Sequence, residues 1–385
     1  MTRSTDLRRR GEQVLPRGNS RATLYVPPAA PYARAGAGAY VTDADGRRLL
    51  DCNNNYTSLV HGHAHPEVTA AAVSAIQSGT AFGLPTEAEI DLAELLTGRF
   101  GRSMRWRFAN SGSEAVMMAV RAARAYTGRD LVVRLAGAYH GTYDQVVGSA
   151  EPGVPGEVRA MTIQVEPDDE EGLARAFGSH GERIAAVLVD LMSNRAGLRP
   201  LSPSFVAMVR REAQAAAALV IVDEVITYRL AVGGLQASYG LEPDLTVLAK
   251  VIGGGFPVGA VGGRAEVMAC FDPERPEPIH WGGTFSANPV SMVAGARAMR
   301  LFDGAAVDVL NERGDRLRAE LGDAGIEVSG RGSLLRLFPE DIEKAWWALY
   351  GAGVLVSTNG LMALSTAMTD DDLATVRDAV VSVLA

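Results

Sequence analysis

Short apolar runs alternate along this chain with longer segments in which apolar residues recur at helical spacing. Runs rich in Val, Leu and Ile read as strands covered on both faces, and the helical spacing reads as a single buried stripe. The pattern predicts strands over 105–109, 131–135, 186–190, 219–223 and 245–249, and helices over 66–78, 87–98, 113–126 and 204–217. Such alternation implies an α/β fold, a mostly parallel sheet covered by helices. Upstream, Gly38 to Asp51 shows two short alternating runs around Asp45-Gly46, a hairpin signal. After Pro289 a helix pattern carries Met292, Val293, Ala296 and Met299. A smaller α/β unit follows from about residue 303, with candidate strands Leu334–Phe338 and Leu361–Ser365.

The chain therefore divides into an N-terminal arm and hairpin packing with the small domain (1–60), a large domain (61–300) and a small C-terminal domain (301–385). Its 385 residues are too many for one small core. Residues 1–20 are polar, with Arg8-Arg9-Arg10, and are expected to form an arm ordered only on a partner subunit.

Composition narrows the function by exclusion. A net charge of −8 argues against nucleic acid or an anionic membrane surface as the main partner. Cys52 and Cys270 are too few for a disulfide framework or a structural zinc site. No apolar stretch is long enough to span a bilayer, and the start lacks the apolar core of a secretory leader, so a cytoplasmic location is expected.

The chemistry centres on Lys250. Leu245 to Ala249 reads as a buried strand, and a glycine-dense turn follows the lysine. Burial lowers a lysine's pKa and makes its neutral amine available as a nucleophile toward a carbonyl. A second strand pattern, Leu219 to Val222, ends in Asp223, 27 residues before Lys250. A lysine able to form a Schiff base and an aspartate able to pair with a pyridinium nitrogen are the equipment of a pyridoxal phosphate enzyme. A third strand pattern ends in Asn110-Ser111-Gly112-Ser113-Glu114, a small-residue turn opening a helix. Helix starts of this kind bind phosphate, and Gly112 and Ser113, with Ser111 adjacent, are the candidate donors. Asn110, Asp190, Asp223 and Lys250 fall at the C-terminal ends of their strands, where open α/β sheets bind ligands.

These segments, with Tyr139-His-Gly141, Lys250-Val-Ile-Gly-Gly-Gly-Phe-Pro-Val-Gly-Ala260 and Gly283-Thr-Phe-Ser-Ala-Asn-Pro289, resemble the class III aminotransferases of fold type I. Within them the chain is most similar to the branch of glutamate-1-semialdehyde 2,1-aminomutase and the β-amino-acid aminotransferases. The resemblance runs from about Leu15 to the C-terminus. It implies Tyr139 stacked on the cofactor ring and Val225 on the ring's other face. It places Thr284 at the phosphate of a neighbouring subunit's cofactor, hence a homodimer with shared active sites. Arg21 matches an arginine that binds a substrate carboxylate in this branch, and Tyr56 is a candidate lining residue.

His61, His63 and His65 at period-two spacing raise a metal reading. They match instead a family segment that precedes a helix, with Pro66 at its first turn, and no metal site is expected. One segment departs from the family. Where the aminomutase carries Glu-Pro-Val-Ala-Gly-Asn-Met-Gly, this chain has Asp190-Leu-Met-Ser-Asn-Arg-Ala-Gly197, and Asn194 stands as the candidate near the cofactor's phenolic oxygen. Residues 354–366 contain no arginine for an α-carboxylate clamp.

The expected activity is a pyridoxal-phosphate-dependent transfer of an amino group between a carboxylate-bearing amino acid, a β-amino acid or similar, and a keto acid or aldehyde. A 1,2-aminomutase is the enzymatic alternative, and an inactive cofactor-binding partner subunit the non-enzymatic one. A nicotinamide-dependent dehydrogenase is excluded, since no Gly-x-Gly-x-x-Gly turn opens a helix after an early strand.

Overall fold

The computed structural model describes residues 2–148 and 151–385. They divide into two compact units, residues 67–307 and residues up to 66 together with 308–385.

The first is built on a seven-stranded sheet. Its spatial order is Arg105–Ala109, Gly259–Gly263, Leu245–Ala249, Leu219–Asp223, Ile184–Val189, Leu131–Leu135 and Thr162–Val165. Only Gly259–Gly263 runs antiparallel to its neighbours. The four strands from Leu245–Ala249 to Leu131–Leu135 are buried at every residue, as continuous apolar runs require. Helix Gly112–Thr127 lays Val116, Met118, Ala119 and Ala122 into this core. Its small residues let it sit close against the sheet.

Two strands of this sheet escaped the sequence pattern. Gly259–Gly263 is three-fifths glycine, which lowers strand propensity, yet it makes ladder pairs on both sides. Thr162–Val165 is a short edge strand with a partly exposed face. Helix Pro203–Ala215 starts on a Ser202 cap, whose hydroxyl accepts from the Phe205 N–H.

The second unit holds two smaller sheets. Strand Tyr40–Asp43 pairs antiparallel with Arg48–Asp51 across Asp45-Gly46, forming the expected hairpin, and Val354–Leu355 adds in parallel to Arg48–Asp51. The other sheet runs Val328–Arg331, Leu334–Leu337, Leu361–Ala363. The N-terminal residues correct an expectation. They were expected to order only on a partner, but Arg3–Glu12 is a helix held on its own chain. Thr2 caps it, Arg8 pairs with Glu12 one turn on, Arg8 also donates to the Pro28 carbonyl, and the Ser4 N–H donates to Asp45. Local capping and helical ion pairs suffice to shape a segment that has no buried residue of its own.

No helix among the described residues is long and apolar enough to cross a membrane.

Candidate active site

The strand ends of the large sheet bring the chemistry together. Asp223 closes Leu219–Asp223 and is 3% exposed. Its Oδ2 accepts from His140 Nδ1–H at 2.7 Å, and its Oδ1 accepts from the Val225 N–H at 3.0 Å. Both carboxylate oxygens are thereby oriented. His140 is itself buried, and its Nε2 has no hydrogen-bond partner. The sequence reading did not single out His140; its signal was adjacency to Tyr139 in Tyr139-His-Gly141.

Lys250 follows the buried strand Leu245–Ala249. It retains some solvent access, yet the protein surrounds it closely enough that burial pulls its amine down to about 8, against the opposing attraction of Asp223 and Asp190. Its φ of 54° lies in a region that non-glycine residues adopt at a cost of about 1–3 kcal/mol. Asp190, after Ile184–Val189, completes a charged cluster. Burial first, then the Asp223 charge, raises its carboxyl, while His140 and Lys250 act in the other direction. Sequence located Asp190 only as a residue at a strand end.

Beside Asp223, Glu224 is fully buried and pushed up to about 7 by that burial. It accepts from Gln236 N–H at 2.6 Å, from Leu235 N–H at 3.0 Å and from the Thr227 hydroxyl. These bonds tie the end of the Asp223 strand to the following turns.

The turn at residues 110–114 is a capped helix start. The Ser111 hydroxyl accepts from Glu114 N–H, and Glu114 reaches back to Asn110 N–H at 2.9 Å. With Ser111 committed to the cap, Gly112 and Ser113 are the first-turn residues whose N–H groups have no partner within the helix. An added Cβ at Gly112 would lie 3.2 Å from a Val225 methyl and 3.4 Å from Ala249 Cβ. The helix start, Val225 and the strand end before Lys250 therefore meet. Gly141, at φ +99°, lies so close that a Cβ there would collide with the Ser113 side chain. Tyr139, just before it, is 47% exposed.

The remaining candidates lie on other segments of the chain. Thr284 is exposed on the segment leading into helix Pro289–Leu301, and Asn194 is partly buried in the turn after Asp190. Arg21 and Tyr56 belong to the other unit and come together there: Arg21 donates to Asn55 Oδ1 at 2.8 Å, and the Tyr56 hydroxyl donates to the Thr23 carbonyl. Asn54, Asn55, Tyr56 and Thr57 all have φ between 48° and 76°, a left-handed turn of four non-glycine residues. Asp51 and Asn53 side chains cap its N–H groups, and Asn54 Nδ2 donates to the Ala363 carbonyl. Strain of this kind persists only where surrounding bonds over-determine it. Of the histidines, His63 is engaged with Asp51 at 2.7 Å and His61 with Thr366 at 2.9 Å. Among the described residues no group of three His, Cys, Asp or Glu side chains is arranged to hold a metal ion.

The arrangement fits pyridoxal phosphate on its own terms. It offers an oriented buried carboxylate for a pyridinium, a lysine amine of lowered pKa for a carbonyl, and a helix start with open N–H groups for a phosphate.

Comparison with known proteins agrees. The description "Aminotransferase class-III" matches residues 25–384. Glutamate-1-semialdehyde 2,1-aminomutase of Methanothermobacter thermautotrophicus is 39% identical over 352 residues, 87% of this chain and 83% of that one. An omega-transaminase from Sphaerobacter thermophilus superposes with a TM-score of 0.96 at 40% identity, covering 100% of this chain and 97% of that one. A β-phenylalanine aminotransferase from Variovorax paradoxus gives 0.93 at 34% identity, covering 98% and 93%. Structures of such neighbours hold PLP.

Proposed function

We propose an intermolecular transamination for this chain, which belongs to the class III aminotransferases and works with pyridoxal phosphate. In this reading the amino group passes from a carboxylate-bearing amino acid, a β-amino acid or similar, to a keto acid or aldehyde. The observation that carries it is the pairing of a lysine of lowered pKa with the doubly anchored Asp223 at neighbouring strand ends. The likeness to an omega-transaminase and to a β-phenylalanine aminotransferase supports the substrate class.

Lys250 would hold the cofactor's carbonyl carbon, Asp223 its ring nitrogen, Gly112 and Ser113 its phosphate, and Tyr139 and Val225 the two faces of its ring, with Asn194 toward its phenolic oxygen. When bound, pyridoxal phosphate supplies an electron sink for the bond broken beside the transferred nitrogen. The protein supplies the rest. Lys250 Nζ, part of it neutral near pH 7, can take a proton and return it. His140 and the Val225 N–H keep the Asp223 charge aimed and in place. Arg21, whose guanidinium Asn55 steadies, binds the substrate carboxylate, with Tyr56 beside it. Thr284, exposed on this chain, serves the phosphate bound in a second copy, so the working form is a homodimer with shared sites.

A 1,2-aminomutase is the second reading, favoured by the curated relative that carries that name at 39% identity. The altered segment Asp190 to Gly197 weighs against it. The test is a panel of amino donors, β-amino acids included, given with and without 2-oxoglutarate, and glutamate 1-semialdehyde given alone. Products requiring both donor and acceptor support transamination. Turnover of the semialdehyde without an acceptor supports the mutase, and no product from any combination means an inactive cofactor-binding subunit.

A further inference from the structure

Tyr139 is a large aromatic left 47% exposed, yet its backbone is pinned on both sides. Before it, the Ala136 N–H donates to the Val165 carbonyl at 2.8 Å and the Arg134 guanidinium to the Ala138 carbonyl at 3.4 Å. After it, the Thr142 N–H donates to the Ser113 hydroxyl at 3.3 Å, which ties the segment to the helix start at Gly112–Ser113. The ring is held differently. Among the described residues its side chain makes one contact of hydrogen-bond, ion-pair or ring type, and that is with Arg195. The guanidinium carbon lies 4.3 Å from the ring centroid.

The loop that carries Arg195 is anchored against the Tyr139 segment. It leaves the strand at Asp190, whose Oδ1 accepts from the Met192 N–H at 3.1 Å, and it closes through the Leu198 N–H to the Ser193 carbonyl at 2.8 Å. The Ser193 hydroxyl donates to the Gly137 carbonyl at 3.0 Å. A Cβ added at Gly137 would lie 3.1 Å from Ala196 Cβ, so the two segments also touch directly. Arg195 itself is exposed, and among the described residues no carboxylate is paired with it. No ion pair draws its guanidinium off the ring.

A guanidinium over an aromatic face is attracted by the ring quadrupole and lies flat on it. An exposed ring fixed only through its backbone keeps rotamer freedom, which it must give up on stacking against a ligand. Restraining it beforehand lowers that cost and so strengthens binding. A ring has two faces. The guanidinium takes one and leaves the other for a ligand.

We propose that Arg195 is a positioning residue for the cofactor: it clamps Tyr139 from one face so that the other is presented, ready set, to the cofactor ring. The assignment rests on the reading that puts Tyr139 on that ring. Arg195 acts through Tyr139 and touches neither the cofactor nor the substrate.

The test titrates pyridoxal phosphate into the apoenzyme while the visible absorbance of the bound cofactor is followed. Arg195→Gln is expected to weaken binding by roughly two- to fivefold. Arg195→Lys should lose less, because an ammonium also sits on a ring face although it cannot lie flat there. In a Tyr139→Phe background, which keeps the ring, Arg195→Gln should cost the same factor; in Tyr139→Leu it should cost nothing more. A second readout is the induced circular dichroism of the cofactor at saturation, which reports ring orientation independently of affinity. Arg195→Gln should reduce it in the parent and leave it unchanged in Tyr139→Leu. If Tyr139→Leu holds too little cofactor to titrate, the dichroism of the parent and Arg195→Gln decides, and an unchanged signal overturns the proposal. An equal loss with and without the ring would make Arg195 a plain charge near an anionic cofactor, and would overturn it too. So would no loss at all, cofactor binding that Tyr139→Leu leaves intact, or a fall in apoenzyme stability as the main effect. Neither readout uses an amino donor. Coupling in a protein that transaminates nothing upholds the clamp and sinks the transamination reading, and transamination without coupling does the reverse.

Discussion

The amine of Lys250 is expected to react as a base titrating near pH 8, and the structure sets the size of the consequence. Burial moves it from an ordinary 10.5 to about 8. At pH 7 the neutral share is then about one in ten, where an ordinary lysine would show about one in three thousand, a gain of roughly 300-fold. Asp223 and Asp190 attract the ammonium and keep the shift from being larger. Asp223→Asn removes one of these charges, so the midpoint should move further down. Because the neutral share cannot exceed one, the gain in reactivity at pH 7 is capped at about tenfold. The assay is brief acetylation of the apoenzyme across pH, with labelling at Lys250 read by mass spectrometry. The chain has only one other lysine, the exposed Lys344, which serves as a reference in the same sample. A Lys250 midpoint near the ordinary value, or an upward move in Asp223→Asn, would refute the reasoning. Stability is linked with the same sign. Between about 8 and 10.5 the unfolded chain holds a proton on this lysine that the folded chain has released, so this group makes stability rise with pH across that window.

Lys250→Ala should abolish nearly all turnover and the visible absorbance of the bound cofactor; absorbance that survives would assign the attachment to Lys344. His140→Ala strands the buried Oδ2 of Asp223, and denaturant titration should find the protein destabilised by about 1–3 kcal/mol, with no change counting against the bond as a support for Asp223. Arg21→Ala should lower kcat/KM for carboxylate substrates by roughly ten- to a hundredfold and spare amines that lack the carboxylate; an equal loss on both would make Arg21 a folding residue. Asn55→Gly should raise stability by relieving a left-handed φ, yet weaken the same carboxylate substrates by freeing Arg21; a gain in stability with unchanged substrate binding would separate the two roles.

By itself the sequence determined the strands that form the sheet's centre and the residues at their ends. Asp223 and Lys250 were legible because a buried strand is a continuous apolar run, and a charged residue closing such a run stands out wherever the run lies. The helix start at Gly112–Ser113 was legible for a similar reason, since small capping residues between two opposite periodicities mark a junction. The resemblance to a known family then assigned Tyr139, Val225, Thr284 and Arg21 by position.

Only the tertiary structure decided which groups meet. His140 and Asp223 are 83 residues apart and share a hydrogen bond because the segment after Leu131–Leu135 reaches past the intervening strand Ile184–Val189 to the end of Leu219–Asp223. Asp190 differs from an ordinary strand-end carboxylate only through its burial next to Asp223. Gly259–Gly263 is a strand because ladder partners on both sides outweigh its composition. The left-handed turn at Asn54–Thr57 and the seat of Arg195 on Tyr139 follow the same rule. Periodicity is a local property, carried by residues a few positions apart, whereas hydrogen-bond partners, desolvation and strain depend on neighbours that only the folded chain supplies.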